Sequence, residues 1–554
     1  MDTKQIIINK FIMKRREILK GIALLPIGGA GIFPHESLAA ANQVKVPGGP
    51  LLPGPQIFQS IGVEPVINCM GTFTIIGGSL ERKSVREAME AASRNFVQYD
   101  ELAYAIGQRL ADITKAEWGM VSAGCAAGLK HVTAACVTGG NPEKLIRIPD
   151  LTGFEKNEVV VPRNSRNVYD HAIRNVGVKM INVETLEEME KALGPKTAMV
   201  YAHAAKKDPF SVEEISKLTR AKNIPFLVDA AAEDLTVPCV HLEKGADIVA
   251  YSGGKALCGP QCSGIVLGRK DILQSAWQAS SPHHGPGRDN KVGREEMIGA
   301  LAAVEAWITF DHKGQWTKWL SYLDTIAKKL AKIETVKTSV REPTGLSNNS
   351  PALVISWDPL KLNITGEEVA EQLGRNKPRI ALSFGTKRNA PSEPGLTSIN
   401  VTAGQMQPGE DKIVAERIYS VLSATRNPKP AEMKTPAATL TGRWDVTVQY
   451  YSSSSNYTWT LEQDGNWLQG VHTGMFSTQN LAGTIEGNVM RVRNIDNPPG
   501  DILAFTFTGN VTGDTISGTI YMVEYGTANF KATKYKYKEN RAPLTVPGGP
   551  PLAT

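Results

Sequence analysis

Between residues 57 and 310, short apolar runs rich in β-branched residues alternate with longer segments of helical periodicity. Strands are expected at 118–122, 158–161, 179–183, 198–201, 225–229, 248–251 and 264–267. Most are too uniformly apolar to leave one face in water, so they belong in a mostly parallel sheet covered by helices on both sides. One intervening helix, 211–222, opens with Ser211 as N-cap and Glu214 three residues on, a capping box. From 311 to 424 the pattern becomes a long helix (316–333), strands at 352–357 and 399–401, and a closing helix (411–422). That is the size of a small α+β domain packed on the first.

Prolines 428, 430 and 436 mark a linker, 425–437, beyond which helical periodicity disappears. Residues 438–537 give eight short alternating strands punctuated by glycine: 442–450, 457–461, 468–472, 481–485, 489–493, 504–508, 515–520 and 528–532. This rhythm implies a small antiparallel barrel or sandwich. Leu440, Gly442 and Trp444, with the Leu-x-Gly-x-Ile phrase at 481–485, resemble lipocalin-like modules. Trp444, Trp459 and Trp467 read as barrel core rather than as a ligand cage.

The first 41 residues stand apart. Arg15 and Arg16 precede an apolar run, 21–33, too short and glycine-rich to span a bilayer, and small residues follow at 37–41. The layout is that of a secretory signal and resembles the twin-arginine type, with Met1 or Met13 as the start. Export to the periplasm or cell envelope is expected, with no transmembrane anchor after signal removal; the alternatives are a basic arm that stays attached and a cytoplasmic protein. Residues 42–56 read as a Pro/Gly-rich linker and 538–554 as a tail. The net charge of +6 is scattered over the chain, which argues against a nucleic-acid partner. The six cysteines lack zinc-site spacing, so no metal is expected. Cys258 and Cys262 read as free thiols in a tight loop rather than a metal or redox pair.

Three features at expected strand ends carry chemistry. Lys255 lies in a glycine-rich loop after the 248–251 strand, poorly placed for core packing and well placed to form an imine. Asp229 ends the 225–229 strand. Ser122, Ala123, Gly124 and Cys125 form a small-residue turn leading into a helix at 126–137, where backbone N–H groups cradle a phosphate. A phosphate turn, an acid for a ring nitrogen and an imine-forming lysine are what pyridoxal 5′-phosphate (PLP) requires. Singly, each has a plain reading: tight packing, a strand-end cap, an exposed loop lysine. Together, at the C-terminal edge of one sheet, they match where open α/β sheets bind ligands.

Asn68, Gly71 and Thr72, Gly77 to Ser79, Tyr169 to Ala172, Val228 to Ala231, Ser252-Gly-Gly-Lys255 with Gly259-Pro-Gln261, and Gly287 to Glu296 together resemble the selenium-transferase-like (SelA-like) branch of fold-type-I PLP-dependent enzymes. The resemblance covers 57–424. It implies a large, mostly parallel domain at 57–310 and a small domain at 311–424, the all-β module being foreign to the family pattern. It further implies Lys255 as the cofactor-bearing lysine and Asp229 as the pyridinium partner, with Ser122, Gly124, Cys125 and Ser252 near the phosphate. His171 is the candidate for the ring-stacking side chain, with an ordinary helix histidine as the alternative. Two departures stand out: only the signal and linker are expected before residue 56, which counts against a tRNA substrate, and Arg294 stands where relatives often show lysine.

The expected activity is that of a PLP-dependent lyase removing a β-substituent from a small amino acid or amino-sugar acid through an aminoacrylate-type intermediate. A transferase or racemase on the same scaffold is the alternative, and an exported binding protein with a degenerate core is the alternative of another class. Substrate carboxylate recognition is expected from an arginine, with Arg288, Arg379 and Arg388 as candidates. The His283–His284 pair reads as a loop pair rather than a substrate contact. The expected assembly is a homodimer or higher homo-oligomer.

Overall fold

The computed structural model describes residues 51, 53–204, 209–384, 395–430, 432–496, 498, 500 and 503–537. The expected signal, most of the 42–56 linker, Arg388 and the 538–554 tail lie outside them. The chain divides into two units, essentially the α/β region up to Lys429 and the β module from Pro430.

In the α/β unit, β1 (Val66–Asn68) pairs in parallel with β11 (Arg379–Ala381). Ile67 and Cys69 pack into the core of the small domain. This opening stretch, read from sequence as part of the large domain, thus contributes a strand to the small one. The seven expected strands follow: β2 (Trp118–Ser122), β3 (Glu158–Pro162), β4 (Lys179–Val183), β5 (Thr197–His203), β6 (Phe226–Asp229), β7 (Ile248–Ser252) and β8 (Gly264–Gly268). They form one sheet in the order β2-β8-β7-β6-β5-β3-β4. β3 to β7 run parallel, whereas β8 is antiparallel to both β7 and β2. Only the short loop 253–263 joins β7 to β8, and it holds no helix to carry the crossover a parallel partner would need. β2, β6 and β8 are buried at every position, as strands covered on both faces must be.

The small domain is a four-stranded antiparallel sheet in the order β12-β13-β10-β9, from β9 (Lys337–Arg341), β10 (Ala352–Trp357), β12 (Ser383–Phe384) and β13 (Thr397–Thr402). The helices His312–Leu330 and Glu410–Leu422 supply Leu323, Ile326, Val414 and Ile418 to its core, which also holds Trp357 and Ile399.

The β module is a closed eight-stranded barrel, β14 (Gly442–Gln449), β15 (Ser454–Asp464), β16 (Trp467–Thr473), β17 (Thr478–Glu486), β18 (Val489–Asn494), β19 (Thr506–Thr512), β20 (Thr515–Tyr521) and β21 (Thr527–Lys534). Each strand pairs with the next, and β21 returns to β14, which decides barrel over sandwich. Closure leaves no unpaired edge. Along β14, Trp444, Val446 and Val448 are buried and alternate with exposed Arg443, Asp445, Thr447 and Gln449. Trp444 and Trp459 are fully buried, with Trp459 edge-on to Phe507 at 4.8 Å. Trp467 departs from the expectation: it opens β16, half-buried and outside the core cluster.

Candidate active site

The chemistry-bearing residues sit where strands end. Asp229 is the last residue of β6, aligned with His203 at the end of β5, and is 2% exposed. A carboxylate this deep needs donors. It accepts the Tyr201 hydroxyl on Oδ2 at 2.9 Å, the Ala231 N–H on Oδ1 at 3.1 Å and the Cys125 thiol on Oδ1 at 3.8 Å. Burial first, then the Asp229 charge, holds the Tyr201 phenol protonated and pushes its pKa far above the ordinary range. The same two causes raise the Cys125 thiol, while the charge of Lys255 acts on it in the opposite sense. Cys125 therefore works as a donor to Asp229 and not as a thiolate.

The turn before Cys125 is built for an anion. Gly124 has φ 86° and precedes the helix Cys125–Thr138, which starts with no side-chain cap and no acidic residue in its first turn. Uncapped first-turn N–H groups need an acceptor from elsewhere. The Ser122 hydroxyl is fully buried and donates to the Gly124 carbonyl at 2.8 Å, so it closes the turn from behind. β8 passes so close that a Cβ on Gly264 would lie 2.5 Å from the Gly124 carbonyl carbon, which explains glycine at 264.

Lys255 follows β7, which ends at half-buried Ser252. A Cβ on Gly253 would meet the Ser263 hydroxyl at 2.0 Å, and one on Gly254 would meet the Gln261 side chain at 2.5 Å. The loop is thus folded tightly onto its own return strand and presents half-buried Lys255 with its Nζ 6.0 Å from the centre of the Tyr169 ring. His171, the sequence candidate for ring stacking, is exposed and its Nδ1 lies 3.1 Å from Arg174 Nη2. The aromatic ring beside Lys255 is that of Tyr169.

The helix that forms the anion turn also anchors the Arg288 loop. Lys130, buried in that helix, bonds both Asp289 carboxylate oxygens at 2.8 Å and Asn290 Oδ1 at 3.2 Å. Arg288 itself is exposed and donates one N–H to Ser281 at 3.1 Å. Arg379 has another position: its guanidinium donates to the carbonyls of Gly374 at 2.7 Å and Glu64 at 3.2 Å, where it ties down the ends of β1 and β11. His283 is tied to Asp100 at 3.2 Å and to the Trp277 carbonyl at 3.1 Å, contacts that anchor its loop. Cys258 and Cys262 carry free thiols. No metal-ligand cluster occurs among the described residues.

Tyr201, Tyr169 and Asn167, whose Nδ2 donates to the Tyr201 hydroxyl at 3.1 Å, are brought to Asp229 and Lys255 by the fold, and none was assigned a role from sequence. Tyr201 looked like one more apolar strand position. Its hydroxyl, on an otherwise apolar strand adjoining the one that ends in Asp229, was the available signal.

A half-buried lysine amine, a buried carboxylate fed by donors and an uncapped helix start at the C-terminal edge of one sheet fit PLP. The fold and these groups define a fold-type-I PLP-dependent enzyme. Comparison with known proteins agrees: the aminotransferase class-V family model matches residues 165–290. D-glucosaminate-6-phosphate ammonia lyase of Salmonella typhimurium is 32% identical over 301 residues, 52% of this chain and 79% of that enzyme. Its structural counterpart, a solved D-glucosaminate-6-phosphate ammonia-lyase, superposes with a TM-score of 0.59 at 25% identity, covering 67% of this chain and 99% of that one. A 5′-C-glycyluridine monooxygenase-decarboxylase of Streptomyces is 29% identical over 59% of this chain and 83% of its own length. The selenium transferase of Mannheimia succiniciproducens is 26% identical over 39% of this chain and 51% of its own length. The chain belongs to the PLP-dependent family of D-glucosaminate-6-phosphate ammonia lyase.

Proposed function

We propose that this protein is a PLP-dependent ammonia lyase acting on a small amino acid or amino-sugar acid, with Lys255 as cofactor-bearing lysine and Asp229 as partner of the ring nitrogen. The observation that carries this reading is the convergence of the Tyr201, Ala231 and Cys125 donors on one buried Asp229 carboxylate at the end of β6, beside the β7 strand that Lys255 follows. When bound, the cofactor supplies an electron sink for charge that develops at the substrate α-carbon. The first-turn N–H groups of Cys125–Thr138 hold its phosphate, with Ser122 and Gly124 shaping the turn and Ser252 at the strand end beside it. Lys255 Nζ takes the α-proton as general base. Tyr169 borders the same space. Arg288, exposed and carried by a loop fastened to Lys130, is the arginine for the substrate carboxylate; Arg379 is engaged by backbone. The identity of the 32%-identical relative favours elimination over transfer or racemisation.

The test is purification followed by visible spectroscopy with and without borohydride, then mass mapping of the reduced adduct. The expected label is on Lys255; a label elsewhere, or none, overturns the site assignment. Screening amino acids and amino-sugar acids for ammonia and keto-acid release then separates lyase from racemase, which releases neither. Export by a twin-arginine signal is also proposed, on the layout of residues 1–41. A Lys-Lys replacement of Arg15 and Arg16 should hold the protein in the cytoplasm, and continued export would refute it. The barrel is proposed as an accessory module. Removing residues 430–554 should leave lyase turnover in place, and loss of turnover by a folded remainder would give the barrel a part in catalysis.

A further inference from the structure

We propose that Asn167 and Tyr201 form a one-way hydrogen-bond relay that holds the Asp229 carboxylate in a single orientation toward the cofactor ring, making both of them positioning residues. This rests on the assignment of Asp229 as ring partner. The relay has a fixed direction because of how Asn167 is held. Its Oδ1 accepts the Tyr169 N–H at 2.8 Å, while its Nδ2 donates to the Ser165 carbonyl at 3.0 Å and to the Tyr201 hydroxyl oxygen at 3.1 Å. A flipped amide would set N–H against N–H at one end and oxygen against a carbonyl at the other, so the network admits one orientation. With an N–H pointing at its oxygen, the Tyr201 hydroxyl turns its own hydrogen to Asp229 Oδ2, 2.9 Å away. The ring carrying that hydroxyl is fully buried in β5, which removes water as a competing acceptor.

Asn167 is itself clamped from below. Asp170, with no exposed surface, accepts the Asn167 N–H at 3.3 Å, Arg166 Nε at 2.5 Å and Arg174 Nε at 3.2 Å. One short segment, 165–174, therefore holds the relay and also carries Tyr169 beside Lys255. On the other carboxylate oxygen, Ala231 and Cys125 complete the constraint. A carboxylate gripped on both oxygens keeps its plane. One gripped on a single oxygen is free to turn about its Cβ–Cγ bond, and its hydrogen bond to a ring N–H weakens.

The full-length holoprotein is compared with Tyr201→Phe, which keeps the ring volume, and with Asn167→Asp. The aspartate retains the oxygen that caps Tyr169 but replaces the donor facing Tyr201 with an acceptor. Three quantities are read: PLP affinity of the stripped protein, the pH midpoint of the visible band of the reloaded protein, and the melting temperature. The relay predicts about tenfold weaker PLP binding for each variant, with a displaced pH midpoint. Affinity within twofold of wild type and an unmoved midpoint in Tyr201→Phe would overturn it. So would a lower melting temperature with the midpoint unmoved, which is what a purely structural tyrosine gives. If Asn167→Asp does not fold, Tyr201→Phe decides alone. A wild-type protein with no borohydride-reducible band at Lys255 overturns the site assignment and the relay with it.

Discussion

The α/β sheet and the C-terminal barrel have nearly the same number of strands and put their polar side chains to opposite uses. In the sheet, hydrogen-bonding groups gather just past the strand ends, around Asp229, Gly124 and Lys255, and leave N–H groups and an amine for something else to meet. In the barrel two polar pairs close on themselves: Trp459 Nε1 donates to His472 Nδ1 at 3.0 Å and half-buried Asn494 Nδ2 to Gln479 Oε1 at 3.0 Å. An open parallel sheet has ends at which chain direction, helix starts and loops converge on one line. The barrel closes its ladder and fills its inside with Trp444, Trp459, Phe507 and Phe530. Reactivity and self-sufficiency are here consequences of topology.

Losing Lys255 should separate the two regions most sharply. Lys255→Ala is expected to reduce turnover by about 10⁴-fold and to remove the reducible visible band, while barrel amides keep wild-type hydrogen exchange. Faster barrel exchange in that variant would mean the regions are energetically coupled. Next comes Trp459→Ala, which should destabilise the barrel by about 4 kcal/mol and leave PLP capture unchanged; a loss of capture would deny the barrel its independence.

Acid should act on the barrel through His472. Burial depresses its pKa from 6.5 to about 4, so the folded barrel prefers the neutral ring. Its contribution is complete above pH 6.5 and is lost as pH falls toward 4, up to about 3 kcal/mol at 1.36 kcal/mol per unit. His472→Gln, which keeps an acceptor for Trp459, should flatten the exchange-detected pH profile of the barrel; an unchanged profile assigns acid sensitivity to another group. His131 in the α/β unit, buried and held down to about 3 by burial and by the charge of Lys130, extends the same loss to lower pH there. The smallest effect is local. Ser211→Ala removes a complete capping box from the helix Val212–Ala221 and should cost about 1 kcal/mol in the α/β unit alone, read as a shift of its melting transition.

Much of this molecule was written in its residues. All seven strands of the large sheet and all eight of the barrel lie where periodicity placed them, because apolar spacing of two, or an unbroken apolar run, is a local property of a strand. Lys255, Asp229 and the turn at Gly124 stand out as candidates for a related reason: a lysine among glycines and an acid closing an apolar strand are chemically out of place where they stand. Tertiary structure alone decided the rest. The reversal of β8, the pairing of β1 with β11 and the barrel closure between β14 and β21 join segments whose partners no local pattern names. The same holds for side chains. Tyr201 read as one more residue of an apolar strand until folding set its hydroxyl between the Asn167 amide and the Asp229 carboxylate, and Arg379 read as a candidate for the substrate carboxylate until the fold set its guanidinium on the Gly374 and Glu64 carbonyls. Which residues carry polar groups is a matter of sequence; where each donor points depends on contacts between residues far apart in the chain, and only the folded protein brings those together.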